Sequence, residues 1–141
     1  MPALFNFEVH TPYHLFYNGK AEYISLILGD GEIGVYAHHS PFTAPVQNCI
    51  LHIRDDRGKT RHAFITNGIL EVKDHKTVLI VGAAEWPEEI NEERALAAKQ
   101  KAEDSLGTAI LKFEIDNAKA KFSRADLRLK AAKLKNQEKV Q

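Results

Sequence analysis

Up to residue 84 the apolar positions recur every second residue in short runs, and beyond residue 91 they recur in steps of three and four. The first period belongs to strands with one covered face, the second to helices. Cys49, Leu51 and Ile53 alternating with Ile50, His52 and Arg54 are a clear case of the first. Strand-like runs lie at 4–8, 14–17, 22–28, 32–36, 49–54, 60–66, 69–73 and 77–81. The turn formers Asn18-Gly19, Asp30-Gly31, Asp55-Asp56-Arg57-Gly58, Asn67-Gly68 and Asp74-His75 stand between them. Many short strands with no helix among them predict an antiparallel sandwich or barrel.

The two periods meet at Glu85-Trp86-Pro87-Glu88-Glu89-Ile90-Asn91. Pro87 lacks a backbone donor and pushes Trp86 toward an extended conformation, so the last strand should stop there. Asn91 is a favoured N-cap, and Glu92 and Glu93 place negative charge in the first helical turn. The junction is a boundary and a hinge candidate, dividing the chain into a sandwich over 1–87 and a helical part over 88–141.

In that second part Ala95, Ala98, Ala102 and Leu106 form a stripe of mostly small residues. Gly107 is placed to end the helix as a C′ glycine, with Thr108 capping the next. Leu111, Ile115, Ala118, Phe122, Ala125, Leu129 and Ala132 then form a heptad seam. Two helices joined by a two-residue break predict an antiparallel hairpin, packed on itself or on the sandwich.

Charge adds an asymmetry. The 141 residues carry 19 Lys and Arg against 19 Asp and Glu, and this balance argues against a general nucleic-acid binder. Beyond Gly107, however, Lys112, Lys119, Lys121, Arg124, Arg128, Lys130, Lys133, Lys135 and Lys139 outnumber Glu114, Asp116, Asp126 and Glu138. A surplus of one sign beside an apolar seam fits either a solvated face or docking on an acidic partner. The longest apolar run, residues 78–84, is far short of a spanning helix, and no signal peptide is visible. A soluble protein is expected, held at a membrane only through another protein. Lone Cys49 excludes an internal disulfide.

Candidate chemistry is sparse. His10, His14, His52, His62 and His75 lack metal-ligand spacing, and neighbours such as His38 and His39 on a strand would point to opposite faces. No metal site is predicted, and no nucleophile elbow, phosphate-cradling loop or zincin helix is present. Gly29-Asp30-Gly31-Glu32-Ile33-Gly34 leads into a strand and reads as a turn. A catalytic site is not expected. A small enzyme using His38, His39 or Glu32, and a free-standing sandwich whose basic coiled coil recruits an acidic partner, remain the alternatives.

Four stretches in order resemble the epsilon subunit of the bacterial F-type rotary ATP synthase, over nearly the whole chain. They are Gly31-Glu32-Ile33-Gly34-Val35-Tyr36 with His39-Ser40-Pro41-Phe42, then Thr66-Asn67-Gly68-Ile69-Leu70-Glu71-Val72. Thr77-Val78-Leu79-Ile80-Val81 through Ala84-Glu85 follows, and last Ile90-Asn91-Glu92-Glu93-Arg94-Ala95. The resemblance implies a ten-stranded sandwich plus hairpin, in a non-catalytic central-stalk subunit of a proton-translocating complex. Its implied partners are the gamma subunit, the c-ring and the catalytic alpha and beta subunits, at the cytoplasmic face of the bacterial inner membrane. It implies that the hairpin lies folded or extends and inhibits ATP hydrolysis, with Lys119, Lys121, Arg124, Arg128, Lys130 and Lys133 as the basic face. Glu32 falls at the implied c-ring contact. No cofactor is required. A regulatory ATP is implied at Glu85, Ile90, Asn91, Arg94 and Ala95, with Lys119 closing the site from the second helix. Asn91 stands where that element has aspartate, which predicts an affinity about ten- to a hundredfold lower.

Overall fold

A computed structural model describes residues 3–29 and 31–134. Asp30 of the predicted turn, and Lys135, Glu138 and Lys139 of the basic arm, lie outside the described residues. The strands are β1 (Phe5–His10), β2 (Leu15–Leu28), β3 (Gly31–Tyr36), β4 (Phe42–Val46), β5 (Cys49–Asp55), β6 (Thr60–Ile65), β7 (Gly68–Val72), β8 (Lys76–Val81) and β9 (Ala84–Glu85). A 3₁₀ turn over Pro87–Glu89 leads into α1 (Glu92–Thr108) and α2 (Lys112–Lys133).

The strands form two layers that share β2. Its first half pairs with β1, from Phe5 opposite Ala21 to His10 opposite Leu15, and its second half pairs with β3 and β5. β1, β8, β7 and β4 continue one layer, and β5, β6 and β9 continue the other. Nine strands are found among the described residues where ten were implied. Between the layers Phe7, Val9, Ile24, Leu26, Val35, Leu51, Ile53, Leu70 and Leu79 are fully buried. The alternating inward residues of the sequence therefore build the core.

Three expectations are corrected. β1 and β8 run parallel, so the sandwich is not wholly antiparallel. Asn18-Gly19 is not a turn but lies inside β2, opposite Glu8 and Phe7. An Asn-Gly pair makes a hairpin when its two flanks pair with each other, and here both flanks pair with a third strand. No strand is predicted over 42–46, yet β4 forms there and includes Pro45. It is tolerated where β4 pairs along β7 and meets β2 only at Leu28 opposite Val46.

Two glycines meet local demands. Gly58 turns the β5–β6 hairpin with φ 77°, a left-handed conformation that side chains disfavour. A Cβ on Gly68 would drive into the backbone of Ile80 on β8. Both positions lie in predicted turn clusters, although Gly68 itself opens β7.

The helical part is a hairpin, as expected, but its corner differs. α1 runs through Gly107 to Thr108, and Ala109 is its C-cap with an extended backbone. Thr108 does not cap the next helix: its hydroxyl donates to the Ser105 carbonyl, and Leu111 occupies the N-cap position of α2 without a side-chain bond. The connection is residues 109–111. Ala118, Ala125 and Ala132 of the predicted seam are buried, Ile115, Phe122 and Leu129 are half-buried, and Leu111 is exposed. Lys99 Nζ donates to Asp126 Oδ1 across the helices at 3.1 Å.

Candidate functional site

The site begins at the junction. Trp86 is fixed on the sandwich, stacked on Phe16 at 4.4 Å between ring centroids, with the Arg61 guanidinium 3.7 Å from its ring centre. Pro87 is buried and starts the 3₁₀ turn, in which the Glu89 amide donates to the Trp86 carbonyl. The chain then enters α1 through Asn91, whose side chain accepts from the Arg94 amide at 3.0 Å. Asn91 thus caps the helix as its sequence position predicts, satisfying a donor that has no partner within the helix.

α2 lies back on the sandwich against β5 and β6. Phe64, Ile90, Ala131 and Ala132 are buried together, with Ile50 and Leu127 against them. Arg128 ties the same end of α2 down. Its Nε donates to Glu85 Oε1 on β9 at 2.9 Å, and its guanidinium lies 4.8 Å from the Phe64 ring centre.

Two cavities open along this hairpin. The smaller, about 300 Å³, is lined by Glu85, Ile90, Asn91, Arg94 and Ala95, and also by Glu89, Ala98 and Arg128. All five positions named on the first-helix side thus line one cavity. Lys119 does not; it is exposed, and Arg128 is the residue that α2 brings there. Nine residues at about 100° each place Lys119 half a turn from Arg128 on the helix.

The larger cavity, about 540 Å³, lies between α1 and α2 and shares Ala98 and Arg128 with the first. Lys101, Lys121, Arg124 and Arg128 line it against the single acid Glu114, over a floor that includes Ala102, Ala118 and Ala125. Small side chains keep the helices from filling the space between them. Half of the six-residue basic face, Lys121, Arg124 and Arg128, thus borders this cleft, while Lys119, Lys130 and Lys133 are exposed.

Elsewhere, Glu32 is exposed as the second residue of β3, opposite Ile27, and not in a turn. His38 occupies a turn with φ 65°, and the His39 Nδ1 donates to the Ser40 carbonyl at 2.9 Å. Neither arrangement resembles a catalytic dyad. Among the described residues no group of three or more His, Cys, Asp or Glu could hold a metal ion. No helix of the described residues is long and apolar enough to cross a membrane.

Both parts of the chain match known family models. Residues 4–87 match the beta-sandwich domain of the ATP synthase delta/epsilon chain, and residues 88–133 match its long alpha-helix domain. The chain belongs to this family. It is 41% identical to the ATP synthase epsilon chain of Caldicellulosiruptor bescii, over 96% of this chain and 98% of that one. Against the epsilon chain of Caldanaerobacter subterraneus subsp. tengcongensis the identity is 42%, over 94% and 96%. In fold it is similar to a chain of the Euglena gracilis mitochondrial ATP synthase, with a TM-score of 0.71 at 19% identity, over 94% of this chain and 79% of that one. A chain of the Tetrahymena thermophila enzyme's central stalk and c-ring gives 0.65 at 16%, over 93% and 98%. What the sequence of an epsilon chain did not reveal is the cleft: Lys101, Lys121 and Arg124 converge only because the helices pair with this rotation. The one available signal was that Lys121, Arg124 and Arg128 recur at steps of three and four.

Proposed function

We propose that the chain is a non-catalytic central-stalk subunit of an F-type ATP synthase, whose hairpin regulates ATP hydrolysis by leaving the sandwich. The gamma subunit, the c-ring and the catalytic alpha and beta subunits are its partners, and its place is the cytoplasmic face of the bacterial inner membrane. The observation that carries this reading is the docking of α2. It rests on a small cluster with two alanines and on one Arg128–Glu85 pair, a contact slight enough to open and close. Release frees Arg128 from Glu85, so that it can join Lys119, Lys121, Arg124, Lys130 and Lys133 in meeting an acidic partner.

The linings of the two cavities support the reading of ATP as the ligand. Glu85, Glu89 and Asn91 offer acceptors to the exocyclic amine of a base, while Lys101, Lys121, Arg124, Arg128 and Arg94 suit a polyphosphate. A nucleotide touching both helices holds the hairpin folded by its preference for that state. Isothermal titration of the full chain with ATP tests this. Saturable binding is expected, lost in Arg128→Ala and tightened by about ten- to a hundredfold in Asn91→Asp. No heat at millimolar ATP would leave a mechanical inhibitor with no nucleotide sensor.

Glu32 is proposed to meet the c-ring, since it is an exposed carboxylate at the start of β3. Glu32→Ala should weaken the coupling of proton flow to ATP synthesis in membrane vesicles while leaving the fold intact. Unchanged coupling would count against that contact.

A further inference from the structure

The face of the sandwich on which α2 lies carries a pair of imidazoles that the regulatory reading does not use. His52 on β5 and His62 on β6 are direct cross-strand partners, and Ile50 and Phe64 form the pair two residues along on the same face. Side chains two apart on a strand project to one side, so the histidine pair adjoins the patch covered by Leu127, Ala131 and Ala132. The two Nδ1 atoms are 2.7 Å apart with the rings edge to face, and both residues are half-buried. At that distance one ring donates its N–H and the other accepts. Among the described residues no third ligand joins them in a metal-binding group. The 2.7 Å separation is that of two nitrogens sharing one proton.

The charges around the pair are unequal. On β5, Arg54 is directed to Glu22 and the Tyr23 ring, and on β6, Arg61 is taken up by Trp86. Glu32 of β3 is the acid whose field favours a charged His52. At the other edge of the face, Glu85 of β9 is paired with Arg128, and Glu88 and Glu89 of the 3₁₀ turn are exposed. α2, which lies over this face, brings Arg128, Lys130 and Lys133 in its final turns. Lys130 is paired with Asp126, 3.0 Å away. The second proton on the pair would thus set two like charges within hydrogen-bond distance of each other, on the face where the helix must dock.

We propose that the His52–His62 pair is a proton-operated release for the hairpin, in which charging the pair drives α2 off the sandwich. The proposal rests on the reading that the hairpin has a docked and a released state. Burial lowers the proton affinity of both rings, and for His62 the neighbouring His52 lowers it further. Release uncovers the adjoining Ile50–Phe64 rung and so opens the pair further to water. The released state then binds more protons than the docked one, and docking is fully favoured above the ordinary histidine value. Docking weakens as pH falls from that value through the lowered one. The ratio of docked to released chains drops about tenfold for each unit by which docking depresses the affinity.

Amide NMR spectra of the full chain, recorded from about pH 8 to about pH 5, test this through the resonances of Ile50, Phe64, Ala131 and Ala132. Leu127→Glu, which puts a charge into the docking cluster, gives the released reference at every pH. The expected result is that the wild-type resonances move toward that reference as the solution is acidified. In His52→Gln/His62→Gln they should stay at their docked positions over the same range. Wild-type resonances that do not move, or that move equally in the double variant, would overturn the proton release while leaving a two-state hairpin intact. A Leu127→Glu spectrum identical to the docked one would instead remove the two-state reading on which the proposal rests.

Discussion

Arg128 is the residue on which the two cavities and the docked hairpin converge. It pairs with Glu85, lies against the Phe64 ring and lines both spaces. A partly exposed ion pair contributes about 0–1 kcal/mol, and a cation over an aromatic ring about 0.5–1 kcal/mol. Arg128→Ala should therefore weaken docking by roughly 0.5–2 kcal/mol, about two- to thirtyfold in the docking equilibrium. Hydrogen exchange at Leu127, Ala131 and Ala132 should speed up accordingly, and unchanged exchange would show that the apolar cluster docks α2 unaided. At this scale the sequence was legible where chemistry is local. Asn91 caps the helix because an amide oxygen after an extended residue can reach the third following amide. Arg128 was counted with the basic face but not with the ligand site, because its partner Glu85 is 43 residues away.

At the scale of elements, what failed were inferences from single punctuating residues. Gly107 looked like a helix stop, yet a helix tolerates glycine at a cost of about 1 kcal/mol, and α1 continues to Thr108. Asn18-Gly19 divided β2 on paper, because the pair does not reveal which strand its flanks will meet. Long periodic patterns were more reliable: the α2 seam buries Ala118, Ala125 and Ala132 as its spacing requires. The hairpin is also joined by charge, since Asp126 accepts from both Lys99 and Lys130 at about 3 Å. Lys130 and Lys99 hold the Asp126 carboxyl below its usual range. A depressed carboxylate stabilises above its unfolded value, near 4, and that contribution disappears as pH falls through the depressed value. Asp126→Asn should thus cost roughly 0.5–1 kcal/mol of helix pairing near neutrality and nothing in strong acid. Helical circular dichroism during acid and thermal titration checks this. A difference from wild type that persists in strong acid would mean that Asp126 acts through packing.

For the whole molecule, the two periods of the sequence separated a sandwich from a hairpin, but not the way they meet. Sheet closure through a shared β2, the parallel β1–β8 pair and the position of α2 depend on contacts between distant segments, which no local pattern encodes. In the docked state, the anchoring of Trp86 by Phe16 and Arg61 places any pivot after it, in the short stretch between Pro87 and Asn91. The most direct test of the regulatory account is the ATPase rate of the catalytic head with gamma, reconstituted with the full chain and with a chain ending at Pro87. The shortened chain, which retains all nine strands, should fold cooperatively and still bind gamma. The full chain should inhibit hydrolysis, and the shortened chain should not. Equal rates with the two chains, both bound, would contradict the account.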